Sequence, residues 1–127
     1  MKIKTITYAG YECCLLENGT LRLLVTNSVG PRIISFGFRG GENLFAELPD
    51  FVTKLPDGNL FHFYGGHRLW HAPEDLNTTY LPDDDPVEIQ MLENGVVAKQ
   101  KMQPKTGLQK TMEITLAGEA RVVITHK

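Results

Sequence analysis

The stretch "YECCLLENGTLRLLVTN", Tyr11 to Asn27, decides the fold. Tyr11, Cys13 and Leu15 share one parity, and Leu21, Leu23 and Val25 share another. Apolar residues at every second position mark a strand with one buried face. Between the two runs sits Asn18-Gly19. Both residues tolerate positive φ, which predicts a two-residue hairpin turn.

The same alternation continues outward from this hairpin. In "PRIISFGF" (31–38), Ile34, Phe36 and Phe38 alternate. Pro31 can begin that strand but not lie inside a central one. Gly40-Gly41 ends it, and "NLFAE" (43–47) reads as a short return. Further on, "PVEIQML" (86–92) places Val87, Ile89 and Met91 on one face, and Asn94-Gly95 turns the chain into "VVAKQKM" (96–102). In "LQKTMEITL" (108–116), Leu108, Lys110, Met112, Ile114 and Leu116 share a parity, and Ala117-Gly118-Glu119 leads into "ARVVITH" (120–126). The middle differs. "LPDFVTKLPDGNLFHFYGG" (48–66) holds Pro49, Pro56 and the turn Asp57-Gly58, which leaves room for a helical turn but no long helix. About eight strands and no helix predict an all-β, antiparallel sandwich. With 127 residues, the expectation is a single domain over 1–127.

Composition narrows the function classes. Thirteen basic residues face fifteen acidic ones, for a formal charge of −2, and no segment gathers enough Lys and Arg to track a phosphate backbone. Nucleic acid is therefore not an expected partner. No apolar run matches a membrane span, and "MKIKTITYAG" (1–10) lacks the apolar core of a signal peptide. The expectation is a cytoplasmic protein. The two cysteines are the neighbours Cys13 and Cys14, which on a strand point to opposite faces. That suits neither a disulfide nor a metal pair, and predicts one well-packed thiol and one less packed. The sequence breaks off at "VVITHK" (122–127), inside a strand pattern. This implies an edge strand or a piece of a longer domain. An unpaired last strand with an exposed apolar face would then call for a homodimer or a missing C-terminal half.

The chemistry gathers in "FHFYGGHRLWHAPEDLNTTYLPDDDP" (61–86), which holds three of the four histidines and the only tryptophan. His67, His71 and Glu74 have a spacing that would share one helix face, as zinc sites require. Pro73 and Gly65-Gly66 oppose such a helix, and the His-x-His pair of metal-binding β-barrels is absent. No metal and no cofactor are expected. No Gly-x-Ser-x-Gly elbow and no phosphate loop occur. A sugar site needs a flat aromatic surface with charged groups that bond hydroxyls. Here Trp70 offers the ring face, His67, Arg68 and His71 the hydroxyl contacts, and Glu74 and Asp75 further acceptors. The competing reading makes Trp70 and Leu69 a plug at one end of the sandwich, with Arg68 paired to Asp83, Asp84 or Asp85.

Two blocks carry a resemblance. "LRLLVTNSVGPRIISFGFRGGENLFAE" (21–47), through Gly30, Arg32, Ile33, Ser35, Phe36, Gly41, Asn43 and Leu44, resembles the opening of galactose mutarotase-like proteins, the aldose 1-epimerase superfamily. "YGGHRLWHAPE" (64–74), followed by "TYLPDDDPVEI" (79–89), resembles an uncharacterised branch of it. The resemblance implies the N-terminal half of a larger β-supersandwich. It implies a sugar or other small polar ligand, held by Arg68, Trp70, Glu74, Arg32 and Asn43. Family chemistry is anomer interconversion by a carboxylate base and a histidine acid. His67 is the first candidate for that acid and His71 the second. The family's base is a glutamate late in its chain, outside this sequence. Its Asn-Arg pair and histidine spacing have no counterpart here. These 127 residues are therefore expected to bind sugar rather than turn it over. The alternatives are a structural or interaction module that packs Trp70 inside, and a metal-dependent β-barrel enzyme.

Overall fold

The structure, a computed structural model, describes all residues from Met1 to Lys127. It is all-β and antiparallel, with no helix. Strands β1 (Lys2–Tyr8), β2 (Tyr11–Glu17), β3 (Leu21–Thr26) and β4 (Arg32–Phe38) run in order in one sheet. The two-residue strand β7 (His67–Arg68) completes that sheet beyond β4. Strands β8 (Glu88–Met91), β9 (Gly95–Lys99), β10 (Thr111–Leu116) and β11 (Val122–His126) form a second sheet. Strands β5 (Glu47–Lys54) and β6 (Leu60–Gly65) form a separate hairpin.

The main core lies between the two larger sheets. Cys14, Leu16, Leu21, Leu23, Val25 and Ile33 meet Val96, Ala98, Met112, Ile114 and Leu116. A smaller cluster fills the other face of the first sheet: Cys13, Leu15, Leu24 and Ile34, covered by Ile6, Tyr8, Tyr11 and Tyr64. The first sheet is thus buried on both faces along β2 and β3, which explains the apolar runs there. It also corrects the expectation for the cysteines. They do point to opposite faces, but both are buried, one in each cluster. Burial pushes the Cys13 thiol up to about 12, so it stays protonated and unreactive.

The turns differ from the expectation in mechanism. Neither Asn18 nor Gly19 takes positive φ. Instead the Asn18 side-chain carbonyl accepts the N–H groups of Thr20 and Leu21, at 2.8 and 2.7 Å. Its amide donates to Gly118 and Glu119 carbonyls, tying a turn of one sheet to a turn of the other. The hairpin that does use two positive φ values is Ala9-Gly10, between β1 and β2. The alternation of Ile34, Phe36 and Phe38 also fails. Leu24 pairs with Ser35 and Val25 with Ile33, so Ile34 is an extra residue in a bulge. Ile33 therefore enters the main core and Ile34 the smaller cluster.

The segment 48–66 contains a hairpin where the apolar pattern marks no strand. Pro49 is accommodated because β5 shifts register between Leu48 and Val52. "NLFAE" is not a strand up to Ala46. Its Asn43 accepts the N–H groups of Phe36 and Phe45 and donates to the Ile34 carbonyl, clamping the chain after β4. Gly65 and Gly66 bring β7 onto β4. Both take positive φ, and a Cβ on Gly66 would stand 2.2 Å from the Ile33 carbonyl oxygen. Only glycine allows that approach.

Candidate functional site

The pairing of β7 with β4 sets Arg68 directly opposite Arg32. Like charges in that position repel unless a counter-charge lies between them. Asp83 supplies it: one carboxylate oxygen sits 3.0 Å from Arg32 and 3.5 Å from Arg68. The Asp83 backbone is pinned by the Gly30 N–H at 2.9 Å. The competing reading of Arg68 thus finds its partner among the three acids. Arg32 is 1% exposed, and it also donates to the carbonyls of Phe63 and Gly65. Its role is to tie β4 to the end of β6 and to the Asp83 segment. Its Nε alone is without a partner, and Asn43 spends its carbonyl and one amide N–H on the backbone clamp.

Arg68 differs from Arg32. Its guanidinium lies over the Trp70 ring at 4.0 Å and the Phe61 ring at 4.9 Å. Its side chain is 7% exposed, yet Nε, Nη1 and Nη2 make no hydrogen bond. Burial holds its pKa below the usual arginine value, with Asp83 acting against that. Trp70 packs on Phe61 and Tyr80 through tilted and edge contacts. It is nevertheless 38% exposed, so it is no interior plug.

Trp70 and His71 line an open cleft of about 340 Å³ with Ala72, Glu74 and Thr79. Tyr80 donates its hydroxyl to Glu74, which steadies the carboxylate beside the cleft. Thr79 bridges the Asp75 N–H and the Pro73 carbonyl, folding 73–79 into the cleft wall. Both ring nitrogens of His71 are buried, and the nearest hydrogen-bonding group is the Thr78 backbone. Burial, then the nearby cations Lys110 and Arg68, push its pKa down, opposed by the Thr78 backbone. A histidine with a depressed pKa is neutral near pH 7, one nitrogen accepting and the other donating.

His67 is not part of this cleft. Its Nε2 lies 3.0 Å from that of His126 on β11, with the rings stacked, and its other neighbour is Phe45. Burial and His126 hold its pKa low. The structure thus brings together Arg68, Trp70, His71 and Glu74, and separates His67, Arg32 and Asn43 from them. No group of three or more His, Cys, Asp or Glu side chains is placed to hold a metal ion. Lys110 is a buried cation that the sequence reading leaves without a role. It is 6% exposed, and its pKa is lowered by burial and by Arg68. The sequence signal for it is a lysine on the apolar parity of 108–116. No helix is long and apolar enough to cross a membrane. No protein-family model, no curated protein and no solved structure matches this chain.

Proposed function

We propose that this chain is a carbohydrate-binding β-sandwich whose ligand site is the Trp70 cleft. The observation that carries the reading is a part-exposed indole sharing an open cleft with a carboxylate that Tyr80 holds in place. An indole face takes the C–H side of a sugar ring, while imidazole and carboxylate take its hydroxyls. A cleft of about 340 Å³ is within the range that holds a small ligand. His71 and Glu74 therefore replace His67, Arg32 and Asn43 as the contacts on which binding depends.

Anomer interconversion is proposed only for a form that presents a complete acid–base pair. A carboxylate would take the anomeric hydroxyl proton while a histidine protonates the ring oxygen and the C1–O5 bond breaks. Rotation and the reverse transfers would close the other anomer. His71, held neutral by burial and by nearby cations, is suited to accept a proton rather than to supply one.

The test is a titration of Trp70 fluorescence with neutral hexoses and their oxidised and phosphorylated forms. Binding should be saturable, weakened by His71→Ala and Glu74→Gln, and unchanged by His67→Ala. If no sugar at millimolar levels perturbs Trp70, the reading fails. A second reading has an observation of its own. The β5–β6 hairpin exposes Leu48, Phe51, Val52 and Leu60, each 39% or more. That favours a contact between two copies, which sedimentation would show as a dimer abolished by Phe51→Glu.

A further inference from the structure

The two larger sheets meet along one side through their edge strands, β7 and β11. His67 lies opposite Ile33 in the β4–β7 ladder, and His126 lies opposite Met112 in the β10–β11 ladder. Directly opposed residues share a face, and Ile33 and Met112 belong to the main core. Both imidazoles therefore point between the sheets, where they meet. Their ring centres are 5.1 Å apart while the Nε2 atoms are 3.0 Å apart, so the nitrogens are the facing edges of an offset pair. A hydrogen bond thus runs from one edge strand to the other. At the turns the sheets are tied separately, by Asn18.

The bond depends on proton count. In the neutral pair one ring carries its proton on Nε2 and the other on Nδ1, so one donates and one accepts. With one added proton an imidazolium donates to a neutral ring, and the bond persists. With two added protons both Nε2 atoms are donors, no acceptor is left, and like charges face each other across 3.0 Å. The surrounding charges are committed elsewhere. Arg32 of β4 and Arg68 of β7 alternate to the other face and are bound to Asp83. Glu113 of β10 and Lys127 of β11 pair with each other on the outer face. After β4, Arg39 pairs with Glu17, Glu42 lines a separate cleft with Tyr8 and Arg22, and only the Phe45 ring faces His67. Burial, then His126, hold the His67 pKa below the ordinary histidine value, in keeping with a second proton being resisted.

Beside the pair lies an apolar cavity of about 230 Å³, lined by Leu23, Ile33, Phe36, Phe45, Val122 and Ile124. Phe45 stacks on His67 at 6.4 Å, and Ile124 precedes His126 on the same face of β11. That strand has a ladder on one side only, to β10. We propose that His67 and His126 form a proton-operated clasp: with at most one added proton they hold the β7 and β11 edges together beside the cavity, and with two they part and expose its apolar lining. Protons reach the clasp from solvent, because His67 is half-buried and His126 exposed. The device is independent of the carbohydrate reading, since neither histidine lines the Trp70 cleft.

Two measurements on the full chain test this. Nitrogen-15 NMR of the imidazoles reads the tautomer and charge of each ring, assigned with single His→Gln variants. At about pH 7.5 one ring of the pair should be the Nε2–H tautomer and the other the Nδ1–H tautomer. On acidification the pair should take its protons in two steps, the second at least about one pH unit below the first. His126→Gln leaves an uncharged partner and should move the His67 midpoint up toward about 6.5. The neutral apolar dye Nile red reads the exposed lining, and its emission should rise about twofold or more across the second step. In the His67→Gln/His126→Gln variant, which holds no second charge, the emission should stay flat. Trp70 fluorescence should not change over the same step, which separates opening from acid unfolding. Titration of both rings in one step near about pH 6.5 overturns the clasp. So does a dye response that is equal in the double variant or that rises only together with a Trp70 change. Two steps with no dye response overturn the opening. If the double variant fails to fold, the NMR steps and the dye and Trp70 signals of the native chain still decide.

Discussion

Asp83→Asn isolates the charge that holds the cluster together. The side chain keeps its shape, so packing is preserved and only the carboxylate charge is lost. In the native chain that charge faces Arg32 at 3.0 Å and Arg68 at 3.5 Å, with side-chain exposures of 1%, 7% and 6% for the two arginines and Asp83. At such burial water cannot stand in for the missing carboxylate. Removing one partner of a buried ion pair typically costs about 3–5 kcal/mol. A chain of 127 residues has a total stability of roughly 6–19 kcal/mol, at about 0.05–0.15 kcal/mol per residue. The loss is therefore a large share of the whole. With a urea m-value of about 2 kcal/mol/M, the midpoint should fall by about 1.5–2.5 M. Trp70 fluorescence reports the transition. Arg68→Met is the paired measurement. It removes one of two like charges that face each other across the β4–β7 ladder. Against that relief it loses its stacking on Trp70 and Phe61, about 0.5–2 kcal/mol, and the longer of the two Asp83 contacts, while Asp83 keeps Arg32 at 3.0 Å. It should therefore cost much less than Asp83→Asn. Two results refute the reasoning: an Asp83→Asn loss under about 1 kcal/mol at unchanged m, or an Arg68→Met loss equal to it.

Three further outcomes are expected. Gly66→Ala should lose about 1–3 kcal/mol in the same urea assay, since a Cβ would meet the Ile33 carbonyl at 2.2 Å and the backbone holds a φ of +73°; a neutral result means that β7 is not seated on β4. Asn43→Ala removes three hydrogen bonds to backbone groups and should cost about 1–3 kcal/mol without changing sugar affinity, which calorimetry separates. His67 and His71 both have folded pKa values below the unfolded one, so the unfolded chain binds more protons and stability drops on acidification. Thermal midpoints should thus decline from about pH 7 to about pH 5, and a His67→Gln/His71→Gln double variant should flatten the decline, whereas a midpoint that rises over that window contradicts the burial of both rings.

Period two alone marks most strands of the sandwich, because residues on one buried face must alternate. It fails where that premise fails. Along β2 and β3 both faces are buried, so parity no longer separates inside from outside, and the second cluster around Cys13 and Ile34 leaves no pattern of its own. At β4 an extra residue reverses parity in mid-strand. The β5–β6 hairpin escapes the pattern because the residues of β5 are mostly exposed and Pro49 sits in its bulge. Site residues close in sequence are legible: Trp70, His71 and Glu74 do line one cleft. His67, four residues from His71, does not join them, because β7 ends at Arg68 and the chain turns away after it.

The Asp83 cluster depends on contacts that local sequence does not encode. Arg32 and Asp83 are 51 positions apart, and Arg68 reaches them only through a two-residue ladder. The one local clue is Lys110, a charged residue on the parity that Met112, Ile114 and Leu116 give to the core. A methionine there would fill the same space with no charge to desolvate, and replacing buried ions with apolar groups is often neutral or stabilising. Stability alone thus gives no reason for a buried Lys110.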